Sequence, residues 1–156
     1  MYELDRPETC SIARAMEILG ERWTFLILRE AFYGVRRFSD MQRNLGIARN
    51  ILSARLQTLT RAGILEKIRY QQEPERYEYK LTAMGRDLYP AIVAILRWGD
   101  EYLAGDDGPP LLLYHQECGQ HASPTMVCSH CGEPLDPRKV TPEPGPGARV
   151  DTVSPL

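Results

Sequence analysis

Two amphipathic segments in the middle of the chain are separated by only a few residues, and this spacing constrains the fold more than any other feature. The first is a short helix that Ser39 opens, with Gln42 completing a predicted capping box. Gly46 stops this helix, and the second one extends over about residues 48–62 and ends before Gly63. The inner face of the second helix carries Leu52, Leu56 and Leu59. Two helices joined by so tight a turn predict a helix-turn-helix.

A β-hairpin follows the second of these helices directly. Residues 64–70 are rich in β-branched and aromatic side chains, and residues 77–81 alternate between apolar and charged side chains. The residues between them are polar and turn-like, so the hairpin has a longer loop. Thr82 then caps a last helix over about residues 83–104, in which Pro90 predicts a kink or a restart. A hairpin in this position is a wing.

Two more helical patterns precede the helix-turn-helix, over about residues 12–19 and 21–33. The predicted fold is therefore mainly α, of the α+β class: a winged helix-turn-helix domain with a β-hairpin wing and a long C-terminal dimerisation helix. The first helix and this last helix carry more apolar residues than a small domain needs, although each of these residues can equally fill the core of one chain. The predicted dimer contacts are Ile92, Ile95, Leu96, Trp98 and Leu103.

The net charge of −2 hides an uneven distribution of charged residues. Residues 36–80 contain ten Arg and Lys against five Asp and Glu, whereas residues 105–156 contain three against seven. A basic segment within a nearly neutral chain excludes a uniformly basic coat and indicates one anionic partner that binds at one place. Because this segment coincides with the helix-turn-helix and the wing, the predicted partner is double-stranded DNA.

The outer side of the second helix of the helix-turn-helix has the composition of a surface that recognises bases. Small and polar side chains face outward there, where Asn and Gln can bind adenine edges and Arg can bind guanine. The residues predicted to face the bases are Arg49, Asn50, Ser53, Ala54 and Gln57. The residues predicted to contact phosphates are Arg36, Arg37, Arg43, Arg55, Arg69 and Arg76, with Ser39 at a helix N-terminus. Any single one of these arginines can also be a solvated side chain without a partner.

Several short motifs along the first two thirds of the chain match one known pattern. They are Cys10, residues 15–20, 22–24, 26–30, 37–41, 45–48, 52–56, 62–65, 69–70, 76–79 and 81–82, and Gly85. Through them, residues 10–103 resemble the HxlR family of bacterial transcription regulators, a branch close to the MarR proteins. The resemblance implies a homodimer that binds a short inverted repeat in DNA and most often represses nearby genes. One departure is the turn at residues 46–48, Gly-Ile-Ala, where the family commonly has Pro-Gly-Ile-Ser.

Cys10 is the predicted redox-sensing residue. Some members of the HxlR family sense oxidants or electrophiles through a cysteine that matches Cys10, and the resemblance implies the same role here. Cys10 opens the first helix, and a helix N-terminus lowers the pKa of a thiol and favours the reactive thiolate. The alternative is a buried, inert structural thiol. Because the core has no second cysteine, a disulfide would need another subunit, the C-terminal cysteines or a small thiol.

The other three cysteines and all three histidines cluster near the C-terminus. His115 and Cys118 form one pair with two residues between them, and Cys128 and Cys131 form a second such pair. Two pairs of this kind supply the four ligands of a zinc ribbon, so they predict a structural Zn²⁺ site without a catalytic role. His121 is an alternative fourth ligand, and the third histidine is poorly placed between two cysteines. Reduced cysteines without a metal are a further alternative.

The distribution of proline indicates the domain boundaries. Nine of the twelve prolines lie at or after Pro109. We predict a DNA-binding and dimerisation domain over residues 1–104, a linker over 105–110, a zinc-ribbon-like module over 111–140 and a disordered tail over 141–156. The module is too small to bury a core of its own, so a metal would fold it.

Other classes of protein are disfavoured. The first residues do not form a signal peptide, and the longest nearly apolar stretch, residues 91–96, is too short to span a bilayer. We therefore expect a cytoplasmic protein without a membrane partner. No nucleophile motif, phosphate-binding loop or carboxylate pair indicates an enzyme. The main prediction is a homodimeric, sequence-specific repressor, and the alternative is an adaptor that docks protein without specific DNA binding. A small-molecule effector and the operator are left open.

Overall fold

The described part of the chain falls into two units. The computed structural model describes residues 10–147. Residues 21–126 form the larger unit, and residues 10–20 together with residues 127–147 form the smaller one. The first nine residues, and the part of the predicted disordered tail after residue 147, lie outside the described residues. The predicted domain boundaries stay predictions.

The smaller unit contains the first helix, α1 (Ser11–Leu19). Leu19 is buried, whereas Ile12 and Met16, which share its apolar stripe, are 73% and 42% exposed. The C-terminal part of this unit contains a short 3₁₀ turn, Pro137–Lys139. Much of the apolar stripe of α1 is therefore left uncovered by the described residues.

The larger unit has the element order of a winged helix-turn-helix. Its helices are α2 (Arg22–Phe32), α3 (Phe38–Leu45), α4 (Arg49–Arg61), α5 (Ala83–Arg86) and α6 (Tyr89–Leu103). Its strands are β1 (Leu65–Gln71), β2 (Arg76–Leu81), β3 (Leu113–His115) and β4 (Gln120–Ala122), which form two antiparallel hairpins, β1–β2 and β3–β4. The predicted α+β fold with a wing after the helix-turn-helix is confirmed.

Apolar side chains of the helix-turn-helix form the core of the larger unit. The inner leucines of α4 (Leu52, Leu56 and Leu59) are buried, as the helical period of the sequence predicts. The core is completed by Ile27 and Leu28 of α2, Met41 of α3, Ile47, Ile64, Leu65 of β1 and Val93 of α6. Burial stabilises the fold by about 1.5–3 kcal/mol for each large apolar side chain. It also fixes which side of α4 faces away from the core.

The start of α3 differs from the prediction. Arg37 occupies the N-cap, and no side chain caps the helix, so the predicted capping box at Ser39 is wrong. The reason is a long-range pairing of the backbone. The amide of Tyr79 in β2 donates to the carbonyl oxygen of Arg36 at 2.8 Å, and Arg37 forms a β-bridge with Glu78. This pairing keeps residues 36 and 37 extended, so α3 begins directly after them.

Thr82 and Pro90 act as predicted after the wing. The hydroxyl oxygen of Thr82 accepts from the amide of Gly85 at 3.1 Å, and the same hydroxyl donates to the carbonyl oxygen of Gly63 at 2.6 Å. The predicted helix over residues 83–104 is two helices, α5 and α6, and Pro90 lies in the first turn of α6. The amide hydrogen that proline lacks is not needed at that position. Among residues 10–147, no helix is long and apolar enough to cross a membrane.

A buried carboxylate joins α2 to α3. Glu30 is only 4% exposed. Its two carboxylate oxygens accept hydrogen bonds at 2.8 Å, one from the guanidinium of Arg29 and one from the side-chain amide of Asn44. A buried carboxylate is tolerated only when it has partners of this kind. The bond to Asn44 crosses from α2 to α3, and it therefore restricts the angle at which the helix-turn-helix leaves α2.

Replacing Glu30 by alanine is expected to lower the free energy of unfolding by about 3 kcal/mol, because Asn44 and Arg29 lose their acceptor. Urea unfolding followed by circular dichroism measures the change. The control is Glu17→Ala on the exposed side of α1, which is expected to change stability by less than about 0.5 kcal/mol. An equally small change for Glu30→Ala would contradict the anchoring role.

Candidate nucleic-acid interface

The outward side of α4 carries the residues predicted to face bases. All five are exposed: Arg49, Asn50, Ser53, Ala54 and Gln57. They face outward because the buried leucines hold the opposite side of α4 against the core. Gly46 has a φ of +61°, in the left-handed region that favours glycine, and it ends α3 just before α4 begins. The tight turn and the leucine stripe together present one polar helix face to solvent.

Aromatic rings hold two of the predicted cations beside α4 and the wing. The Cζ atom of Arg37 lies 4.9 Å from the ring centroid of Tyr70, at the end of the wing strand β1. The Cζ atom of Arg49 lies 5.5 Å from the ring centroid of Phe38, the first residue of α3. An aromatic face attracts a cation through its quadrupole and does not cancel the charge. The rings therefore restrict the positions of both arginines without offsetting their charge. Arg37 also lies near the carboxylate of Glu78, whose pKa is lowered mainly by its hydrogen bond to Lys80 and further by Arg36 and Arg37.

A carboxylate lies beside three of the predicted phosphate contacts. The pairs are Arg43 with Asp40 at 2.8 Å, Arg69 with Glu75 at 2.9 Å and Arg55 with Glu21 at 3.8 Å. The side chain of Arg55 is only 22% exposed, so it is the least accessible of the three arginines. Exposed ion pairs add little stability, but each carboxylate offsets positive charge. Arg36 and Arg76 are exposed, as is Ser39 in the first turn of α3.

Two cations outside the predicted set extend the same surface. Arg61 in the last turn of α4 and Lys67 in β1 line an open groove together with Ser53 and Gln57. The helical period of the sequence already puts Arg61 on the outer side of α4. The only sequence feature that indicates Lys67 is its position two residues before Arg69, because residues at that spacing lie on the same face of a strand.

The carboxylate of Glu75 accepts two hydrogen bonds at the tip of the wing. Nη1 of Arg69 donates to one oxygen at 2.9 Å, and the hydroxyl of Tyr77 donates to the other at 3.1 Å. The bond to Glu75 is the main reason that the pKa of Tyr77 is raised above its ordinary value. Arg69 and Tyr77 lie opposite each other in the β1–β2 register. The wing therefore presents less positive charge than its arginines alone would give.

Cys10 lies at the N-cap of α1 and is half-buried. Its carbonyl oxygen accepts the amide of Arg14 at 3.1 Å, the first hydrogen bond of the helix. Its side chain makes no capping hydrogen bond, and the sulfur is not in a disulfide with another described residue. The structure thus places this thiol at the helix N-terminus that the sequence indicates.

His115 and Cys118, two of the predicted zinc ligands, lie together in the larger unit. The Nδ1 atom of His115 is 3.2 Å from the sulfur of Cys118, and both side chains are exposed. The amide of Gly119 donates to the carbonyl oxygen of His115 at 2.9 Å and closes a tight turn around Cys118. The alternative ligand His121 lies in β4 opposite Tyr114.

Cys128 and Cys131 form the second pair, in the smaller unit. The backbone amides of Cys131 and His130 donate to the sulfur of Cys128 and lower its pKa. The amide of Gly132 donates to the carbonyl oxygen of Cys128 at 2.9 Å, which closes a tight turn. Amide donors of this kind stabilise a thiolate, the form of cysteine that binds metals. Within residues 10–147, no three side chains of His, Cys, Asp or Glu are grouped so that they could hold a metal ion.

An exposed polar helix after a tight turn, followed by a wing that carries arginines, defines a helix-turn-helix transcriptional regulator. Residues 18–107 match the HxlR-like helix-turn-helix family, and the chain belongs to that family. It is 55% identical, over 144 residues, to an uncharacterised HTH-type transcriptional regulator of Mycobacterium tuberculosis, with 92% of this chain and 91% of the relative covered. The chain is thus a transcriptional regulator and not an enzyme.

Among the solved structures that are similar to this one, two show how far the similarity extends along the chain. One is the crystal structure of PA1607, which is described as a candidate transcription factor. It is 35% identical to this chain with a TM-score of 0.78, over 86% of this chain and 94% of that one. The redox regulator HypR in its reduced form is 26% identical with a TM-score of 0.55, over 59% of this chain and 92% of that one. The first similarity therefore covers much more of the chain than the second.

Replacing Glu75 by glutamine is expected to tighten DNA binding about threefold at low salt, because Arg69 then presents its full charge to the phosphates. Fluorescence anisotropy with a labelled duplex measures the affinity. The matched control is Glu73→Gln, which removes the same charge from an exposed position in the same loop. Equal effects of the two substitutions would contradict a specific role for the Arg69–Glu75 pair.

Proposed function

We propose that this regulator is a homodimeric repressor that binds an inverted-repeat operator in double-stranded DNA. The observation that carries the proposal is the exposed polar face of α4, with Arg37 and Arg49 held beside it by aromatic rings. A helix with such a face fits the major groove, and the flanking arginines fit the phosphates. The resemblance to the HxlR family supports repression as the outcome of binding.

The exposed apolar face of α6 supports the homodimer. Ile95, Trp98 and Leu103 are 51%, 58% and 71% exposed. Ile92 and Leu96, the other two predicted dimer contacts, are half-buried. A soluble domain gains stability when a second copy covers such side chains. Since one α4 contacts only a few base pairs, a twofold copy also doubles the length of the DNA site.

We also propose one structural Zn²⁺ ion, bound by His115, Cys118, Cys128 and Cys131. Three thiolates and one imidazole are a donor set that zinc prefers. Each pair lies on a tight turn, and the amide donors to Cys128 favour its thiolate. A four-ligand site leaves no open position on the metal, so the ion would stabilise the fold of the C-terminal region and catalyse nothing.

Docking of a protein partner is the second candidate function. Exposed apolar side chains around β3 and β4 favour it, among them Leu112, Tyr114 and Met126 at 57%, 61% and 68% exposure. Contiguous exposed apolar groups often mark protein interfaces. DNA binding and protein docking differ in salt dependence, because only the first releases counterions from a polyanion.

The repressor proposal predicts tight binding to a duplex taken from upstream of the protein's own gene, with two chains for each operator. Fluorescence anisotropy at two salt concentrations, against a scrambled duplex, measures affinity, preference and stoichiometry. The affinity is expected to fall at least about tenfold when the salt concentration is raised fourfold. Equal binding to both duplexes, or binding that ignores salt, would contradict the proposal and favour the protein-docking function.

The same titration tests whether Cys10 senses oxidants or electrophiles. Its place at the N-cap of α1 supports this role, and the redox regulator HypR has a similar fold. If Cys10 is the sensor, its alkylation weakens DNA binding, and a Cys10→Ser variant treated in the same way is unaffected. Unchanged binding after complete alkylation of Cys10 would identify an inert structural thiol.

The zinc proposal predicts about one zinc ion bound for each purified chain. Cys118→Ser and Cys128→Ser are each expected to lose the metal, because three ligands hold zinc more weakly than four. Atomic emission spectrometry measures the zinc content, and Cys10→Ser is the control that is expected to retain it. A comparison of His115→Ala with His121→Ala identifies the histidine ligand. Retention of zinc by both cysteine variants would overturn the proposal.

A further inference from the structure

We infer that α4 recognises A·T base pairs in the major groove, through the amides of Asn50 and Gln57 and the apolar side chains of Ala54 and Ile51. This inference rests on the proposed DNA-binding function and adds the class of base pair to it. It follows from the exposure of these four side chains, their order along the helix, and the contacts that occupy the neighbouring arginines.

Asn50 and Gln57 have the side-chain amides that match adenine. The NH₂ group of such an amide can donate to N7 of an adenine while its oxygen accepts from the N6 amino group of the same adenine. Both side chains are exposed, and among residues 10–147 neither makes a side-chain hydrogen bond. They are seven residues apart, which is nearly two turns, so they lie on one face about 10.5 Å apart along the axis. That length corresponds to about three base-pair steps of 3.4 Å.

Ala54 and Ile51 provide apolar contacts on the outward part of the same helix. Ala54 lies between the two amides and is exposed. Ile51 is 39% exposed, although it belongs to a helix whose leucines are all buried. In the major groove, the group that an apolar side chain recognises is the C5 methyl of thymine. Asn50, Ala54 and Gln57 therefore share one face of α4, with the apolar group for thymine between the two amides for adenine, and Ile51 lies at the edge of that face.

The side chains that would recognise G·C pairs are directed elsewhere or absent. Arginine is the usual reader of guanine, but Arg49 stacks on Phe38, and Arg55 is half-buried beside Glu21. Arg61 lies in the last turn, in the groove shared with Lys67, where it suits a phosphate. Carboxylates can accept from cytosine, and the α4 sequence contains none.

The first experiment selects binding sites with the full-length protein from a pool of duplexes that contain about 20 random base pairs. Enriched half-sites are expected to contain A·T pairs at positions about three steps apart. Enriched half-sites with G·C pairs at the contacted positions would overturn this inference and leave the proposed repressor function intact. Failure to enrich any sequence would overturn both.

The second experiment replaces single bases of the enriched duplex. 7-Deazaadenine lacks the N7 acceptor, and uracil lacks the methyl group of thymine, while both keep Watson–Crick pairing. We expect about tenfold weaker binding for the adenine analogue at a contacted position and about fourfold weaker binding for each lost methyl contact. Unchanged affinity for both duplexes would overturn the inference, because the A·T preference would then arise from DNA shape.

The third experiment assigns the adenine contact to one residue. For one adenine of the site, Gln57→Ala is expected to have the same affinity for the natural duplex and for the duplex with 7-deazaadenine at that position. The reason is that the amide that donates to N7 of this adenine is gone. The matched control is Gln72→Ala, which removes an exposed glutamine from the wing loop and is expected to keep the wild-type discrimination. The assignment would be overturned if Gln57→Ala, with an unchanged circular dichroism spectrum, still preferred adenine over 7-deazaadenine at every position as strongly as the wild type does.

Discussion

The geometry of the helix-turn-helix depends on the buried carboxylate of Glu30. The leucines of α4 supply most of the burial, but apolar contacts have little directionality, so they leave the helix angles loosely defined. A desolvated carboxylate is different, because both of its oxygens need donors at hydrogen-bonding distance. Asn44 meets that need through a 2.8 Å hydrogen bond that connects α3 to α2. Since α4 follows α3 after the turn at Gly46, the same bond also influences the direction in which Asn50 and Gln57 point.

The chain holds its surface cations in two ways, and the difference shapes the electrostatic field of the interface. Aromatic rings restrict Arg37, Arg49 and, in the wing, Lys67 without offsetting their charge. Carboxylates restrict Arg43 on α3, Arg55 on α4 and Arg69 in the wing, and each carboxylate offsets part of the positive charge beside it. Both kinds of contact therefore occur on the helices and on the wing. The cations that rings hold contribute more to long-range attraction of a polyanion than those paired with carboxylates.

Features that depend on nearby residues were predictable from the sequence, and features that depend on distant residues were not. Local periodicity and local hydrogen bonds account for the buried leucine stripe of α4, the wing strands and the helix cap at Thr82. The start of α3 does not, because it is set by the pairing of Arg36 with Tyr79, which are 43 positions apart in the sequence. The contact of Arg55 with Glu21 is also remote, so the outer face of α4 alone could not show that this arginine is half-buried. Tight turns at the cysteine pairs again follow from spacing alone.

The pairing of residues 36 and 37 with β2 makes the entry to α3 a partial third strand of the wing. The wing therefore cannot bend independently of the helix-turn-helix, and a displacement of one is transmitted to the other through backbone hydrogen bonds. The connection also has an evolutionary consequence. An insertion between α2 and α3 would break this pairing, whereas the loop between β1 and β2 can change in length without disturbing it. Lineages that descend from this sequence should diversify in the wing loop and keep the α2–α3 connection at constant length.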